Sequence, residues 1–234
     1  MVSVKDVKLI VFDLESVLFD KYVSYVNGEM VEMNSYDLIF YELGAWEENQ
    51  TLIELWKKGI LQDYFAWNEE TFKVWKEYGL KKNKFKESVK KMPLRKEAKE
   101  IVGELKRMGY KIATVTGSAE ELALRAKREL GLDYAFAHYK LYFDKKGNLK
   151  DWNLFPTDYE DKVKCVKKIA KKEKISLMEC AYVGDGENDI FVMSEVGVPI
   201  AFKPESEKVK NVARYVIEDL RELLDLLNLH TFLI

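Results

Sequence analysis

The chain has few of the residues that bind soft metals or form disulfides: its 234 residues include two cysteines and two histidines. Cys165 falls inside a predicted helix and Cys180 at the entry to a predicted strand. Neither has a histidine near it in the sequence, so we expect two buried free thiols in a reducing compartment. The protein is therefore expected to be cytoplasmic.

Long apolar runs and an excess of one charge are also missing. No apolar run approaches the roughly twenty residues of a membrane span, and the N-terminal segment MVSVKDVK lacks the apolar region of a signal peptide. Lys and Arg number 38 against 40 Asp and Glu, a net charge of -2. This balance gives no general electrostatic reason to expect nucleic acid or an anionic membrane as a partner.

The segment from Lys8 to Val17, KLIVFDLESV, contains an unbroken apolar run that ends at Asp13. Such a run is typical of a central strand of a parallel sheet, and ligands bind just past the carboxyl ends of these strands. Asp13 is also a common kind of turn residue. Two acids at this point, Asp13 and Glu15, either coordinate a cation or divide nucleophilic and proton-transfer roles between them.

A second acidic segment, AYVGDGENDIF, runs from Ala181 to Phe191. Its two glycines permit a tight turn from a strand into a helix. Asp185 and Asp189 are four residues apart, so both carboxylates can face one point. Clustered carboxylates without His or Cys suit Mg²⁺, which takes a few such ligands and keeps several waters.

Two more polar positions are candidates for anion binding. The predicted strand from Tyr110 ends in Thr116 and Gly117, and a hydroxyl and a glycine amide beside a helix N-terminus form a small anion pocket. Ser118 is expected to cap that helix, which leaves Thr116 to face the ligand. Lys162 lies on the first turn of a helix predicted over residues 159–172, where a positive charge is unfavourable. Both a functional and a solvated role are open for it.

The pattern of elements predicts two domains. Residues 19–92 are rich in aromatic residues at helical spacing and are predicted to be a helical insertion, or cap. Residues 1–18 and 93–234 alternate strands with helices, which predicts an α/β fold with a doubly wound parallel sheet. Residues 133–152 are predicted to form a short strand and a hairpin of that domain. The apolar tail, 229–234, is expected to pack on the core or on a second subunit, so the chain is a monomer or a homodimer.

These segments resemble the haloacid-dehalogenase (HAD) superfamily, and most closely its phosphoserine-phosphatase-like branch. Four family motifs have counterparts in the family's order: Asp13 with Glu15, Thr116 with Gly117, Lys162, and Asp185 with Asp189. The resemblance implies a Rossmann-like sheet domain with a cap inserted after the first strand. It also implies an Mg²⁺-dependent phosphatase that acts on a small phosphorylated metabolite.

The resemblance implies a role for each matched residue. Asp13 would attack phosphorus and form an aspartyl-phosphate, while Glu15 would protonate the leaving group and then deprotonate water. The groups implied to bind the phosphate are Thr116, Gly117, Lys162 and Asn188. The groups implied to hold Mg²⁺ are Asp13, Asp185, the backbone carbonyl of Glu15, and Asp189 directly or through water.

Two departures from the family pattern leave alternatives open. The family usually has Asp where this chain has Glu15, so the phosphoryl acceptor could be an alcohol other than water, or the site could be a non-catalytic binding module. Dehalogenation does not require the second acidic pair and is disfavoured. Enzymes specific for phosphoserine use a cap Arg, whereas Arg95 is the first arginine here and follows the insertion. Tyr22, the aromatic residue closest after the first motif, is a candidate substrate contact.

Overall fold

The structure is a computed structural model that describes residues 3–228. The strands are β1 (Leu9–Phe12), β2 (Tyr22–Val26), β3 (Glu29–Met33), β4 (Lys111–Val115), β5 (Tyr134–Phe136), β6 (Tyr139–Phe143), β7 (Leu149–Leu154), β8 (Cys180–Gly184), β9 (Val198–Phe202) and β10 (Tyr215–Ile217). The α-helices are α1 (Ser35–Leu43), α2 (Trp46–Lys57), α3 (Tyr64–Glu77), α4 (Lys82–Lys91), α5 (Ala98–Arg107), α6 (Glu120–Leu130), α7 (Glu160–Glu173), α8 (Ile190–Glu195), α9 (Glu207–Val212) and α10 (Glu222–Asn228).

The main sheet has six parallel strands in the order β10-β9-β8-β1-β4-β5. Every residue of β1 is buried, as expected for a strand covered on both faces. Each of β8 and β4 pairs directly with β1, which makes β1 a central strand. The prediction of a doubly wound parallel sheet is confirmed.

The strand order fixes which helices share a face. The chain runs outward from β1 to β4 and β5 through α5 and α6, then returns to β8 through α7 and continues to β9 and β10 through α8 and α9. Because parallel crossovers are right-handed, the reversal places α7, α8 and α9 on the face opposite α5 and α6. The reversal point lies between β1 and β8, where ligands bind in sheets of this kind.

One apolar cluster packs the sheet against α7, α8 and α9. It includes Val11 on β1, Tyr182 on β8, Val166 and Ile169 on α7, and Val192 on α8. Within residues 3–228, none of the helices combines the length and the apolar character needed to cross a bilayer. The predicted packing of the tail, residues 229–234, falls outside the described part of the chain.

The chain forms two compact units. The first comprises residues 1–20, 94–138 and 155–234, of which 3–228 are described, and the second comprises 21–93 and 139–154. β6 and β7 form the predicted hairpin, but it belongs to the second unit and not to the sheet domain. Its Tyr139 packs against Phe72 at a ring-centroid distance of 4.8 Å and against Tyr36 at 5.3 Å. These aromatic contacts explain why the hairpin belongs to the second unit.

The second unit is not wholly helical, which corrects the prediction for residues 19–92. It begins with an antiparallel hairpin of β2 and β3, and α1 to α4 follow. The turn is Asn27-Gly28, and both residues have positive φ, 52° and 86°. Asn-Gly between two alternating segments is a strong hairpin signal, because both residues readily adopt the positive φ that such a turn requires.

Candidate active site

Two of the predicted acids meet because their strands are neighbours. Asp13 follows β1 and Asp185 follows β8, and the two strands are in register with Phe12 beside Val183. Carboxylate oxygens of Asp13, Asp185 and Asp189 lie within 4.8 Å of one another, and all three residues are buried. Parallel strands end at the same edge of a sheet, so separation in sequence becomes proximity in space.

Lys162 is the cationic group of this cluster. Its side chain is fully buried, which removes the solvated surface role left open by the sequence. From the first turn of α7 its ammonium nitrogen reaches Asp189 Oδ1 at 2.6 Å and Asp13 Oδ1 at 3.2 Å. A third carboxylate, Asp158, lies 3.5 Å away. Three carboxylates around one ammonium offset the cost of burying the lysine.

Asp189 is held by four hydrogen-bond donors. Its Oδ1 accepts from Lys162 at 2.6 Å and from the Tyr182 hydroxyl at 2.7 Å. Its Oδ2 accepts from the backbone N–H groups of Asp185, at 3.0 Å, and Gly186, at 3.2 Å. A carboxylate with both oxygens so occupied is better suited to positioning neighbours than to direct ligation of a metal.

Burial dominates the protonation behaviour of the site. It raises the pKa of Asp13 from 3.8 to about 8, with Lys162 opposing the rise and neighbouring carboxylates adding to it. Burial and the charge of Asp13 also raise the pKa of Asp185 well above its usual range. For Lys162, burial alone would lower the pKa, but the carboxylates, Asp13 first, hold it well above the usual value. Excess negative charge confined in a buried site favours an added cation.

The donor set fits a small divalent cation. Asp13 Oδ1 is buried and, among the described residues, receives no hydrogen bond, although Lys162 lies 3.2 Å from it. Asp13 and Asp185 supply only carboxylate oxygens, which are ligands that Mg²⁺ prefers. Asp13 and Asp185 are therefore the side chains fitted to hold such an ion, with Asp189 behind them.

The loop after β4 contains the predicted hydroxyl motif. Thr116 is buried, its amide donates to Phe136, and its Oγ1 accepts a hydrogen bond from the Ser118 amide at 3.1 Å. The prediction that Ser118 caps α6 is wrong, because the cap residue is Ala119, whose side chain has no acceptor. The Thr116 hydroxyl closes this short turn, and Gly117 lies within it.

Glu15 lies on the loop that follows Asp13 and is partly exposed. Its carboxylate is not part of the cluster formed by Asp13, Asp185 and Asp189. Arg95 holds this loop through two hydrogen bonds: its Nε donates to the Val17 carbonyl and its Nη2 to the Ser16 carbonyl, both at 2.8 Å. The backbone near Glu15 is thus fixed by a buried guanidinium.

Asn188 and Tyr22 have different placements. Asn188 is in the loop after β8, and its Nδ2 donates to Asp158 Oδ1 at 2.8 Å. Tyr22 lies on β2, in the second unit, so its predicted contact with substrate stays a prediction. Asp158 and Tyr182, which contact Lys162 and Asp189, were not identified from the sequence.

The fold and this cluster define a hydrolase of a known class. The family model for haloacid dehalogenase-like hydrolases matches residues 7–197, so the chain belongs to that family. The chain is 34% identical over 230 residues to phosphoserine phosphatase of Methanocaldococcus jannaschii, covering 94% of this chain and 97% of that one. It is also 34% identical over 212 residues to phosphoserine phosphatase of Archaeoglobus fulgidus, of which it spans 56%.

Solved structures agree with this assignment. A phosphoserine phosphatase structure described as a phospho-aspartyl intermediate analogue aligns with a TM-score of 0.74 at 31% identity, covering 94% of this chain and 98% of that one. A substrate-bound phosphoserine phosphatase complex aligns with a TM-score of 0.72 at 31% identity, covering 94% of this chain and 97% of that one. The similarity thus extends over both units of the chain.

Proposed function

We propose that this protein is an Mg²⁺-dependent phosphatase that hydrolyses a small phosphomonoester through an aspartyl-phosphate on Asp13. The observation that carries the proposal is the buried Asp13 Oδ1, which receives no hydrogen bond among the described residues and lies 3.2 Å from the Lys162 ammonium. A carboxylate oxygen beside a fixed positive charge is suited to attack a phosphoryl group. The similarity to phosphoserine phosphatases supports the same chemistry.

The chemistry requires two displacements at phosphorus. In the first, a carboxylate oxygen of Asp13 forms a bond to phosphorus while the ester P–O bond breaks, and Glu15 gives a proton to the leaving alkoxide. In the second, Glu15 takes a proton from water as the water oxygen attacks phosphorus, the bond to Asp13 breaks, and inorganic phosphate leaves. Glu15 is restored at the end of the cycle.

Neutralising charge on the phosphoryl oxygens is the main catalytic requirement of such a reaction. Lys162, the Thr116 hydroxyl and the Gly117 amide are the proposed donors from this chain. A divalent ion held by Asp13 and Asp185 would neutralise further charge on the phosphoryl oxygens when bound. We also propose that the backbone carbonyl of Glu15 and, through water, Asp189 complete its coordination.

The test is hydrolysis of a nitrophenyl phosphate with Mg²⁺ present. We expect turnover that stops with EDTA, returns with added Mg²⁺, and is lost in Asp13→Asn. Acid quenching with radiolabelled phosphate ester should leave label on the wild-type protein and none on Asp13→Asn. Turnover without metal, or an active Asp13→Asn, would contradict the proposal.

The role of Glu15 has its own test. A general acid matters most for poor leaving groups, so Glu15→Gln should lose about 10²–10⁴-fold on an alkyl phosphate and much less on a nitrophenyl ester. If Glu15 is the working acid, Glu15→Asp should also lose activity. A large gain in Glu15→Asp over an inactive wild type would indicate a non-catalytic module instead.

We propose that phosphoserine is not the preferred substrate, although the relatives are phosphoserine phosphatases. The second unit contains no arginine, so it offers no bidentate partner for a substrate carboxylate. A panel of phosphomonoesters that includes phosphoserine, sugar phosphates and aryl phosphates should rank phosphoserine below other members. The ratio of kcat/KM values across the panel measures this directly.

A further inference from the structure

Two consecutive residues before α7 contact three separate segments of the proposed phosphate site. Thr157 and Asp158 are 3% and 8% exposed. The Thr157 hydroxyl donates to the backbone carbonyl of Thr116 at 3.0 Å. Asp158 Oδ1 accepts from Asn188 Nδ2 at 2.8 Å and lies 3.5 Å from the Lys162 ammonium. This dipeptide therefore joins the loop after β4, the loop after β8 and the first turn of α7.

The backbone next to the dipeptide is strained. Tyr159 has φ 48° and ψ -126°, a conformation that residues with a Cβ rarely adopt. Tyr159 and Asp158 accept the first backbone hydrogen bonds of the helix that carries Lys162, from the amides of Lys162 and Asp161. Strained backbone persists where the surrounding contacts fix it, and it clusters at functional sites.

The proposed chemistry gives Asp158 a distinct place among the carboxylates around Lys162. Asp13 loses its charge when it is esterified by the phosphoryl group, so it cannot hold the ammonium throughout the cycle. Asp158 and Asp189 form no bond to phosphorus in either displacement. They lie 3.5 Å and 2.6 Å from the ammonium and can fix its direction in every intermediate.

We propose that Thr157 and Asp158 are positioning residues that set the phosphate-binding groups of this site relative to one another. Thr157 fixes the position of the Thr116 loop through the Thr116 carbonyl, and Asp158 fixes the side chains of Lys162 and Asn188. The inference rests on the proposed phosphatase function, because it assigns the shared ligand of those groups as a phosphoryl group. Small displacements of such groups cost large factors in rate and binding.

The test compares pairs of variants that differ in one contact. Thr157→Val keeps the shape and removes the hydroxyl, while Thr157→Ser keeps it. Asp158→Asn keeps an acceptor for Asn188 but removes the charge beside Lys162, and Asp158→Ala removes both. Asp161→Asn is the matched control, since Asp161 lies on the same helical turn and pairs with the exposed Lys164.

The readouts are KM and kcat for a nitrophenyl phosphate, and the Kd for inorganic phosphate by titration calorimetry with Mg²⁺. We expect Thr157→Val and Asp158→Ala to raise KM and the phosphate Kd by about tenfold or more, because the groups that bind phosphate lose their alignment. Asp158→Asn should raise both constants by less than Asp158→Ala does. Thr157→Ser and Asp161→Asn should stay within about threefold of wild type. Thermal unfolding identifies any variant that fails to fold. If Asp158→Ala or Thr157→Val does, Asp158→Asn decides the outcome, because it keeps the acceptor for Asn188 and is still expected to raise KM and the phosphate Kd.

The two levels of the proposal fail differently. A wild type that neither turns over an ester nor binds phosphate contradicts the proposed function. An active wild type whose folded Thr157 and Asp158 variants keep its KM and phosphate Kd contradicts the positioning role alone. Loss of stability without change in KM or phosphate Kd also contradicts it, because that result is expected of a purely structural contact.

Discussion

The Tyr182 hydroxyl donates a 2.7 Å hydrogen bond to Asp189 Oδ1, the same oxygen that accepts from the Lys162 ammonium at 2.6 Å. Tyr182 is fully buried on β8, and burial raises the pKa of its hydroxyl well above the usual value. The phenol therefore stays neutral and remains a donor to Asp189. Asp189, which binds the Lys162 ammonium, is therefore itself fixed by a hydrogen bond from a residue of the main sheet.

Tyr182→Phe should weaken that arrangement without opening a cavity. We expect a loss of about 1–3 kcal/mol in the free energy of unfolding, because a buried charged acceptor loses one donor. We also expect a fall in kcat/KM, since Asp189 then holds Lys162 less firmly. Urea unfolding and steady-state kinetics measure both, with Tyr142→Phe as the control, because Tyr142 is an exposed residue whose hydroxyl accepts from Asn153 Nδ2. Equal behaviour of the two variants would contradict this role for Tyr182.

Gly184 is required because the Asp189 side chain occupies the space that a Cβ at this position would need. A Cβ at this position would overlap the carboxylate group. Gly184→Ala should therefore displace Asp189, cost about 1–3 kcal/mol of stability by overpacking, and abolish turnover. The same substitution at Gly103, inside α5, meets no atom within 4 Å and should stabilise the protein by about 0.5–1 kcal/mol with activity unchanged. Unfolding and kinetic measurements that failed to separate the two variants would contradict the geometry.

The acidic cluster could be predicted from the sequence because it depends only on which strands the acids follow and on those strands being parallel neighbours. Asp13 and Asp185 each end a buried strand, and parallel strands that are neighbours bring their ends together. Lys162 was harder to assign, since its local position on a helix gives no information on what its side chain reaches across the sheet edge. Its partners, Asp13 and Asp189, are set only by the fold.

Asp158 and Tyr182 show why part of the site was missed. Thr157 and Asp158 precede a helix, where such residues usually cap the backbone, so their position in the sequence does not indicate contacts with distant loops. Tyr182 lies within an apolar run that reads as core. The available signal was its hydroxyl, because a fully buried tyrosine usually has a hydrogen-bond partner. The partner itself, Asp189, could be identified only from the structure.

Mg²⁺ binding is expected to release protons. In the metal-free protein burial raises the pKa of Asp13 to about 8, so this carboxyl is mostly protonated at pH 7, and burial also raises the pKa of Asp185. Coordination requires the ionised carboxylates, so we expect release of roughly half a proton or more per ion at pH 7 and affinity that rises until about pH 8. Calorimetric titrations in buffers with different ionisation enthalpies measure the release. A binding enthalpy independent of buffer would contradict the expectation.

The same shift predicts that Asp13 lowers the stability of the metal-free protein at alkaline pH. Its pKa is about 8 in the folded chain, against 3.8 ordinarily, so between those values the folded state binds more protons than the unfolded state. Stability therefore falls as pH rises through this window, and the effect is fully developed above about pH 8. Asp13→Asn removes the titration and should be more stable than wild type by about 1–3 kcal/mol at pH 8, less at pH 5.

Urea unfolding with EDTA at both pH values measures this difference. Asp151→Asn, an exposed substitution, is the control and should show no pH-dependent gain. Saturating Mg²⁺ should shrink or reverse the advantage of Asp13→Asn, because the ion binds the wild-type carboxylate and stabilises the folded state by mass action. A variant less stable than wild type at pH 8 without metal would mean that attraction between Asp13 and Lys162 outweighs the cost of burying the Asp13 charge.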